Sequence, residues 1–412
     1  ESGAYIRQLG VSRARVQSGW ARTEQKKGKY DYAWLDEVVD GIVSQNVTPW
    51  MCLGYGNPIY SSELTLGAKI FTDEPTMKAW RNYVRATVRH YGDRVTAYEI
   101  WNEPDGQKAN TPAILAELII NTAEVIRKEN PKATILALGL ASPNISFVKG
   151  VLDILKERNK LHLIDKVSFH AYYPNPDNAT TSIIAFRNTV RSYSNNLDVV
   201  QGESGCPSAY EFGSAMKYNE WSEYKQAKWD LRRMANDFAM NIPSSIFSLV
   251  DLQYPYMQQS FGLVRVNLMH EPQYKRPSYY AVQHLTRILH DGIQPVEVKC
   301  QAFTNSEIKC VGLANKSGEK IGVMLWKSDL VPTDELDKEN VSVMLMDFAV
   351  EDLVYVEPIT GYVHDLSSVI TRGANEVDIA EAANGTINLR CAGLPLWDAP
   401  ILLIKRSELK LQ

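Results

Sequence analysis

Short apolar segments alternate with amphipathic segments from the start of the chain to about residue 290. The apolar segments predict β-strands at Ser12–Gln17, Thr48–Tyr55, Thr96–Glu103, Thr134–Ala141, Lys166–Tyr172, Asp198–Glu203 and Ser245–Leu252. Apolar residues at helical spacing predict α-helices at Tyr32–Gln45, Thr76–Tyr91, Pro112–Asn130, Ile145–Arg158, Ser182–Ser194 and Ser222–Met240. Several of the strands are apolar throughout, which is typical of a parallel sheet covered on both faces. The repeated strand–helix unit therefore predicts the α/β class and a (β/α)8 TIM barrel.

The seven predicted strands are one fewer than the eight of a closed TIM barrel. The opening segment Glu1–Gly10 has the pattern of a helix end, and such a helix would follow a first strand rather than precede it. We therefore expect the first strand to lie upstream of Glu1, or a non-sequential segment to fill its place. We also expect the N-terminus to be truncated in this sequence, and the protein to be secreted or periplasmic.

The pattern changes after a helix that ends near His290. Short strand segments follow one another from Val296 to Lys405, separated by turn signals such as the Asn-Lys-Ser-Gly segment at residues 315–318. This pattern predicts an antiparallel β-sandwich as an accessory domain. The expected domains are a catalytic barrel at residues 1–292 and a sandwich at residues 293–412, a division that suits a chain of 412 residues.

The composition argues against two classes of function, nucleic-acid binding and membrane-spanning proteins. A hydrophobic content of 45% and a charged content of 22% are those of a soluble globular protein. A net charge of −4 without a basic cluster argues against a nucleic-acid partner, and no apolar run reaches the length of a membrane span.

The five cysteines form no Cys-x-x-Cys pair and have no metal-ligand spacing with the seven histidines. We therefore expect neither a metal ion nor an organic cofactor. Cys300 and Cys310 could form a disulfide between neighbouring strands, or both could remain free thiols.

Two of the predicted strands end at a glutamate. Glu103 closes the segment Tyr98–Glu103, directly before Pro104, and Glu203 closes the strand Asp198–Glu203. The C-terminal ends of barrel strands form the active site of such folds. Two carboxylates roughly 5 to 5.5 Å apart are what retaining glycoside hydrolysis needs, one as acid/base and one as nucleophile. Alone, either glutamate would more commonly be a surface residue or a buried ion, so the prediction depends on the pair.

Polar residues near the two glutamates extend the predicted site. Asn102 could bind the sugar 2-hydroxyl, provided that the strand bends so that Asn102 and Glu103 both face the site. Arg15 lies in a strand that should be apolar and could keep Glu203 ionised, or it could instead form an ion pair with Glu99. Trp20 follows as a supporting residue.

Further predicted site residues end the later strands. His170 and Tyr172 share one strand face, so His170 could bind a hydroxyl and Tyr172 could donate to Glu203. Asp251 and Tyr254, at and just after the end of the last predicted barrel strand, could line the sugar site. For acid/base chemistry the pKa of Glu103 should be raised, while Glu203 should stay ionised.

The chain resembles glycoside hydrolase clan A, and within it the branch of the β-xylosidases and α-L-iduronidases. The likeness rests on Trp-Asn-Glu-Pro at residues 101–104, His-Ala-Tyr at 170–172, Gly-Glu-Ser-Gly at 202–205, and the segments at 28–36, 261–264 and 275–281. The resemblance implies Glu103 as acid/base and Glu203 as nucleophile. It also implies supporting roles for Arg15, Asn102, His170 and Tyr172. The chain departs from the pattern in lacking a tryptophan at the end of the eighth strand.

The function expected from these features is retaining hydrolysis of β-type glycosidic bonds through a covalent glycosyl-enzyme, exo-acting on an oligosaccharide. An endo-glycanase acting on a polysaccharide is the alternative among enzymes. A carbohydrate-binding relative without activity is the alternative from another class, although a binding protein has no need of both glutamates. A metal-dependent hydrolase would require histidine clusters that the sequence lacks.

Overall fold

The computed structural model describes residues 3–63, 69–255, 257–290, 292–370, 377–381 and 387–411. The chain divides into two compact units. The first contains Glu1–Arg7, Val11–Ala171 and Thr181–Ser204, and the second contains Gln8–Gly10, Tyr172–Thr180 and Gly205–Gln412. This division differs from the expected boundary between residues 292 and 293, which stays a prediction.

Four of the described α-helices begin at a residue whose side chain caps the helix. The Asp73 side chain accepts the Thr76 N–H at 2.9 Å, and the Asn144 side chain accepts the Phe147 N–H at 3.1 Å. Proline follows the Thr111 cap, where its missing N–H costs nothing. The α-helices are α1 Gly3–Leu9, α2 Trp20–Thr23, α3 Ala33–Val43, α4 Glu74–Tyr91, α5 Pro112–Glu129, α6 Ile145–Glu157, α7 Thr180–Tyr193, α8 Glu223–Ala239, α9 Pro277–Ile288 and α10 Leu366–Val369.

A parallel sheet of six strands, in sequential order, forms the centre of the first unit. Its strands are β1 Arg13–Gln17, β2 Thr48–Leu53, β3 Ala97–Ile100, β4 Thr134–Leu140, β5 Lys166–His170 and β6 Asp198–Glu203. Buried apolar residues from neighbouring strands, including Trp50, Ala97, Leu136 and Val200, pack together on one face. Parallel strands joined by helices confirm the predicted (β/α)-barrel class. None of the described helices combines the length and apolar composition needed to cross a bilayer.

The predicted strand Ser245–Leu252 is not a regular strand, so that prediction is wrong. The Ser248 N–H donates to the Phe261 carbonyl at 3.2 Å, and the Leu263 N–H donates to the Ser248 carbonyl at 2.9 Å. The Ser248 hydroxyl also donates to the Val250 carbonyl at 2.7 Å. Side-chain-to-backbone bonds of this kind compete with a strand ladder. Short antiparallel pairs follow, namely β7 Leu252–Tyr254 with β8 Met257–Gln259, and β9 Val264–Val266 with β10 Pro272–Lys275.

Two antiparallel sheets follow in the second unit, as predicted for the accessory sandwich. The first has the order β11-β13-β14-β20-β16-β17 and the second the order β12-β15-β19-β18. Their strands are β11 Gln294–Val296, β12 Lys299–Phe303, β13 Ile308–Ala314, β14 Lys320–Lys327, β15 Glu339–Met346, β16 Leu353–Glu357, β17 Tyr362–Asp365, β18 Val377–Glu381, β19 Ile387–Leu396 and β20 Ile401–Lys405. One hydrophobic core joins side chains of both sheets with apolar residues of α8 and α9. This shared core explains why both helices group with the sandwich rather than with the parallel sheet. The cysteines, Cys300 and Cys310 among them, are free thiols in this structure.

Asp230 on α8 is a buried carboxyl group without compensation. Its side chain is fully buried, and neither carboxyl oxygen has a hydrogen-bond partner among the described residues. Burial raises the pKa of Asp230 well above its ordinary value, because the charged form loses its hydration. The native state therefore retains a proton that the unfolded chain releases above about pH 4, and stability falls as the pH rises through this range.

We expect Asp230→Asn to be more stable than the wild type at pH 8. The gain should be on the order of 1 kcal/mol, or about 1 °C in Tm if the 412 residues unfold together, and should shrink as the pH falls toward about 4. Thermal unfolding followed by circular dichroism across this pH range measures the difference. Asp93→Asn, at an exposed position, is the control. A Tm for Asp230→Asn that is equal to or below the wild-type value at pH 8 would contradict the account.

Candidate active site

The backbone turns sharply where β3 ends. Trp101 has φ 69° and Glu103 has φ 48°, both left-handed, and the Glu103 N–H donates to the Gly139 carbonyl at 2.7 Å. Gly139, with φ +49°, lies in a bulge of β4, and a Cβ there would lie 2.9 Å from the Trp101 carbonyl oxygen. A glycine is therefore required at this close approach. The expected bend is present, and it directs both Asn102 and Glu103 away from strict strand alternation.

Arg15, on β1, bonds three different side chains through one planar guanidinium. Its Nε donates to Glu99 Oε2 at 2.6 Å, its Nη1 to Glu203 Oε2 at 2.9 Å, and its Nη2 to Asn102 Oδ1 at 2.8 Å. Burial acts to lower the pKa of Arg15, but the neighbouring anionic groups, Glu99 foremost, raise it well above its ordinary value. The guanidinium is thus a permanent positive charge. It contacts both Glu99 and Glu203, and its predicted role in keeping Glu203 ionised stays a prediction.

The two glutamates lie at one site, with His170 between them. His170 Nδ1 is 2.8 Å from Glu103 Oε1 and 3.9 Å from Glu203 Oε1. One carboxylate oxygen of each glutamate and the His170 nitrogen all lie within 4.8 Å of one another. A carboxylate only accepts hydrogen bonds, so His170 Nδ1 donates to Glu103 whenever Glu103 is ionised.

The two carboxylates differ in their surroundings. The Glu203 side chain is 13% exposed and paired with Arg15, whereas the Glu103 side chain is 39% exposed and has no arginine bonded to it in the described residues. Burial raises the pKa of Glu103, but the hydrogen bond from His170 and the charges of His170 and Arg15 outweigh burial. The pKa of Glu103 therefore lies below its ordinary value in the sugar-free site, whereas the sequence analysis expected it to be raised.

Two predicted site residues are engaged in internal contacts instead. Trp20 is fully buried, its indole donates to Glu24 Oε2 at 2.6 Å, and it has no surface for a sugar. Asp251 is buried in the second unit, where Arg276 Nη1 and Nη2 bind its two oxygens at 2.7 and 2.9 Å. The expectation that Asp251 lines a sugar site is therefore wrong, because a bidentate ion pair occupies its carboxylate.

Tyr172 and Tyr254 also belong to the second unit. The Tyr172 ring meets Phe261 edge-on, with ring centroids 6.0 Å apart. Tyr254 ends β7 and is half-buried. Their predicted roles at the sugar site stay predictions.

Ser168 was not predicted as a site residue, and Glu99 was predicted only as an alternative partner of Arg15. The Ser168 hydroxyl donates to Glu99 Oε1 at 2.6 Å and accepts the Gly139 N–H at 3.0 Å. The sequence pattern could have identified Ser168. It is a polar residue in a buried strand, two positions before His170 and on the same face of the strand.

Glu103, His170 and Glu203 also present the kind of donor atoms that bind a metal ion. Arg15 Nη1 lies 2.9 Å from Glu203 Oε2, and the positive charge of the guanidinium opposes the binding of a divalent cation at this position. We therefore interpret the three side chains as groups for proton transfer and nucleophilic attack. The expectation that the protein needs no metal stays a prediction.

Comparison with known proteins agrees with this chemistry. The family model described as "Glycosyl hydrolases family 39" matches residues 4–203, slightly less than half of the chain, and this range includes both glutamates. No curated protein matches the sequence.

Several solved structures have the same fold. A family 39 glycoside hydrolase from Bacteroides cellulosilyticus WH2 matches with a TM-score of 0.73 at 18% identity, over 98% of this chain and 77% of that one. A monomeric β-xylosidase from Caulobacter crescentus CB15 matches with a TM-score of 0.58 at 16% identity, over 98% and 92% of the two chains. A family 39 enzyme from Xanthomonas axonopodis pv. citri matches with a TM-score of 0.60 at 15% identity, over 97% and 90%. The family-model match confirms the resemblance to glycoside hydrolase clan A and the expectation that the protein is a glycosidase. The three solved structures, at 15% to 18% identity, show the fold.

We expect the pKa of Glu103 to rise when His170 is replaced by leucine, because the variant loses both the hydrogen bond and the positive charge of the imidazole. NMR titration of protein labelled with ¹³C at glutamate carboxyl carbons measures this pKa. His90→Leu is the control, because His90 pairs with Asp36 on the surface. An unchanged or lower pKa of Glu103 in His170→Leu would show that His170 does not control this carboxyl group.

Proposed function

We propose that the protein is a retaining β-glycosidase that acts by double displacement, with Glu203 as nucleophile and Glu103 as acid/base. The observation that supports this proposal best is the pairing of two unlike carboxylates within 4.8 Å, only one of them bonded to an arginine. This spacing suits the roughly 5 to 5.5 Å of retaining enzymes, whereas inverting enzymes hold their carboxyl groups about 6.5–9.5 Å apart to admit a water molecule.

In the first step, a Glu203 oxygen attacks the anomeric carbon and forms an ester bond with the sugar. The bond from the anomeric carbon to the glycosidic oxygen breaks, and Glu103 gives its proton to that oxygen, so the leaving group departs as an alcohol. In the second step, Glu103 takes a proton from water while the water oxygen attacks the anomeric carbon. The ester bond to Glu203 breaks, and the sugar leaves with its original configuration.

The surroundings of each carboxylate suit these roles. Arg15 stabilises the ionised form of Glu203 by a charge-assisted hydrogen bond. Glu103 must hold a proton when the sugar is bound, although its pKa is lowered in the sugar-free site. A sugar ring over the 39% exposed Glu103 side chain would remove water from it, and this added burial favours the protonated form.

We infer that Asn102 binds the sugar. An arginine N–H can only donate, so the Arg15 bond at 2.8 Å must use the carbonyl oxygen of the Asn102 amide. The amide NH₂ of Asn102 is not used in that bond and can donate to the sugar 2-hydroxyl, a contact that strengthens in the transition state.

The substrate proposed for this site is a class of compounds and not one particular sugar. We propose exo-action on an oligosaccharide with a β-type bond, in line with the resemblance to the xylosidase branch. Two similar structures are described as β-xylosidases. Xylosides are therefore the first compounds to assay, followed by glucosides and mannosides.

We expect a screen of nitrophenyl and methylumbelliferyl β-glycosides to give activity that depends on both glutamates. Glu203→Ala should lose at least about a thousandfold in kcat, as when a catalytic nucleophile is removed. Glu103→Ala should lose about 10²–10⁴-fold, the usual contribution of a general acid/base. Added azide should restore turnover in Glu103→Ala with a β-glycosyl azide as product, because azide can attack the glycosyl-enzyme without a general base. Any azide product of Glu203→Ala should be the α-anomer, because azide would then displace the leaving group directly and invert the configuration.

Glu117→Ala, which removes an exposed glutamate of α5, serves as the control. Activity of Glu203→Ala near the wild-type rate would overturn the nucleophile assignment. Hydrolysis of polysaccharide without any action on aryl glycosides would favour an endo-glycanase. Sugar binding without turnover of any compound would favour a binding protein.

A further inference from the structure

We propose that Glu99 is a positioning residue for the reaction, which holds Arg15 in place and takes part of its positive charge away from the nucleophile. This inference rests on the proposed function, because it assigns the nucleophile to Glu203. Glu99 touches no position that a sugar could reach. It would act only through Arg15.

Glu99 is held from several strands at once. Its side chain is fully buried in β3, its Oε2 accepts from Arg15 on β1 at 2.6 Å, and its Oε1 accepts from Ser168 on β5 at 2.6 Å. Two glycines leave room for this carboxylate, since a Cβ on Gly139 or Gly202 would lie 3.3 Å from Glu99 Oε1. The Glu99 carboxylate, on β3, thus lies close to residues of four other strands, β1, β4, β5 and β6, which together define its position.

The geometry of the guanidinium links Glu99 to the reacting groups. Arginine has a rigid planar fork, so a bond that fixes Nε also fixes the directions of Nη1 and Nη2. The Nη1 atom bonds Glu203, and the Nη2 atom bonds Asn102. Any displacement of Glu99 therefore moves the donors that orient both side chains, and a shift of about 1 Å can cost about 10²-fold in rate.

The negative charge of Glu99 also affects how strongly Arg15 binds Glu203. One positive guanidinium lies between two buried or nearly buried carboxylates, so the field of Glu99 opposes the stabilisation that Arg15 gives to Glu203. An anion bound too strongly by its counter-ion is a weaker nucleophile, because attack on the sugar must break that interaction. Glu99 thus weakens the hold of Arg15 on Glu203, which leaves the Glu203 carboxylate a better nucleophile.

Two variants distinguish the effect of the Glu99 charge from the effect of its position. They are Glu99→Gln and Glu99→Asp. Glutamine retains an oxygen acceptor of the same length but removes the charge. We expect kcat to fall about 10- to 100-fold. We also expect the acidic limb of the pH profile of kcat/KM to move to lower pH, since this limb reports protonation of the nucleophile.

Aspartate keeps the charge but is too short to bond both Arg15 and Ser168. We expect its kcat to fall by a similar factor of about 10–100, with the acidic limb near its wild-type position and KM little changed.

Glu24→Gln is the matched control. Glu24 is another fully buried glutamate of the same unit, but it accepts from Trp20 and Tyr60 rather than from Arg15. Its substitution should lower Tm without moving the acidic limb. If Glu99 had only a structural role, Glu99→Gln would likewise lower Tm and leave the acidic limb of the pH profile unchanged.

An acidic limb of Glu99→Gln at the wild-type position would overturn the inference, and so would a wild-type kcat in Glu99→Asp. The aspartate variant remains informative if the glutamine variant does not fold. The proposed function would fail differently, through activity that survives Glu203→Ala. Loss of activity in Glu203→Ala together with an unshifted limb in Glu99→Gln would reject the role of Glu99 alone.

Discussion

The three hydrogen bonds of the Arg15 guanidinium are the interaction on which the site depends. They join a buried carboxylate, Glu99, to the side chains of Asn102 and Glu203 at distances of 2.6 to 2.9 Å. Three acceptors around one rigid cation fix one another's positions, so the site needs little reorganisation when a substrate binds. Removal of any one partner would leave a charged or polar group buried without compensation.

The parallel sheet makes this arrangement possible. Strands that run in one direction bring their C-terminal ends to one edge, so β1, β3, β5 and β6 can each contribute one polar group. Close approach between neighbouring strands then depends on Gly139, whose carbonyl accepts the Glu103 N–H at 2.7 Å. The difference between the two glutamates follows from this placement, since only Glu203 contacts the cation, and Glu103 contacts His170 instead.

Much of this structure could be predicted from the sequence, because local pattern determined it. The strands β1 to β6 and most helices lie within a few residues of their predicted bounds, since their apolar residues repeat at regular spacing. The glutamates at strand ends were predictable for the same reason. The bend at Asn102 was expected from the chemistry of the site, because strict strand alternation would turn Asn102 away from it. The Asp251 ion pair with Arg276 and the burial of Trp20 were not, because tertiary contacts decide whether a polar or aromatic side chain at a strand end faces a substrate or the core.

The configuration of the first product tests the central claim most directly. That claim is that Glu103 and Glu203 lie close enough for covalent catalysis. An aryl β-glycoside that the enzyme hydrolyses can be followed by ¹H NMR within the first minutes, before the free sugar mutarotates. We expect the β-anomer to form first, since two displacements restore the original configuration. Initial formation of the α-anomer would mean direct attack by water, and it would contradict the roles assigned to both carboxylates.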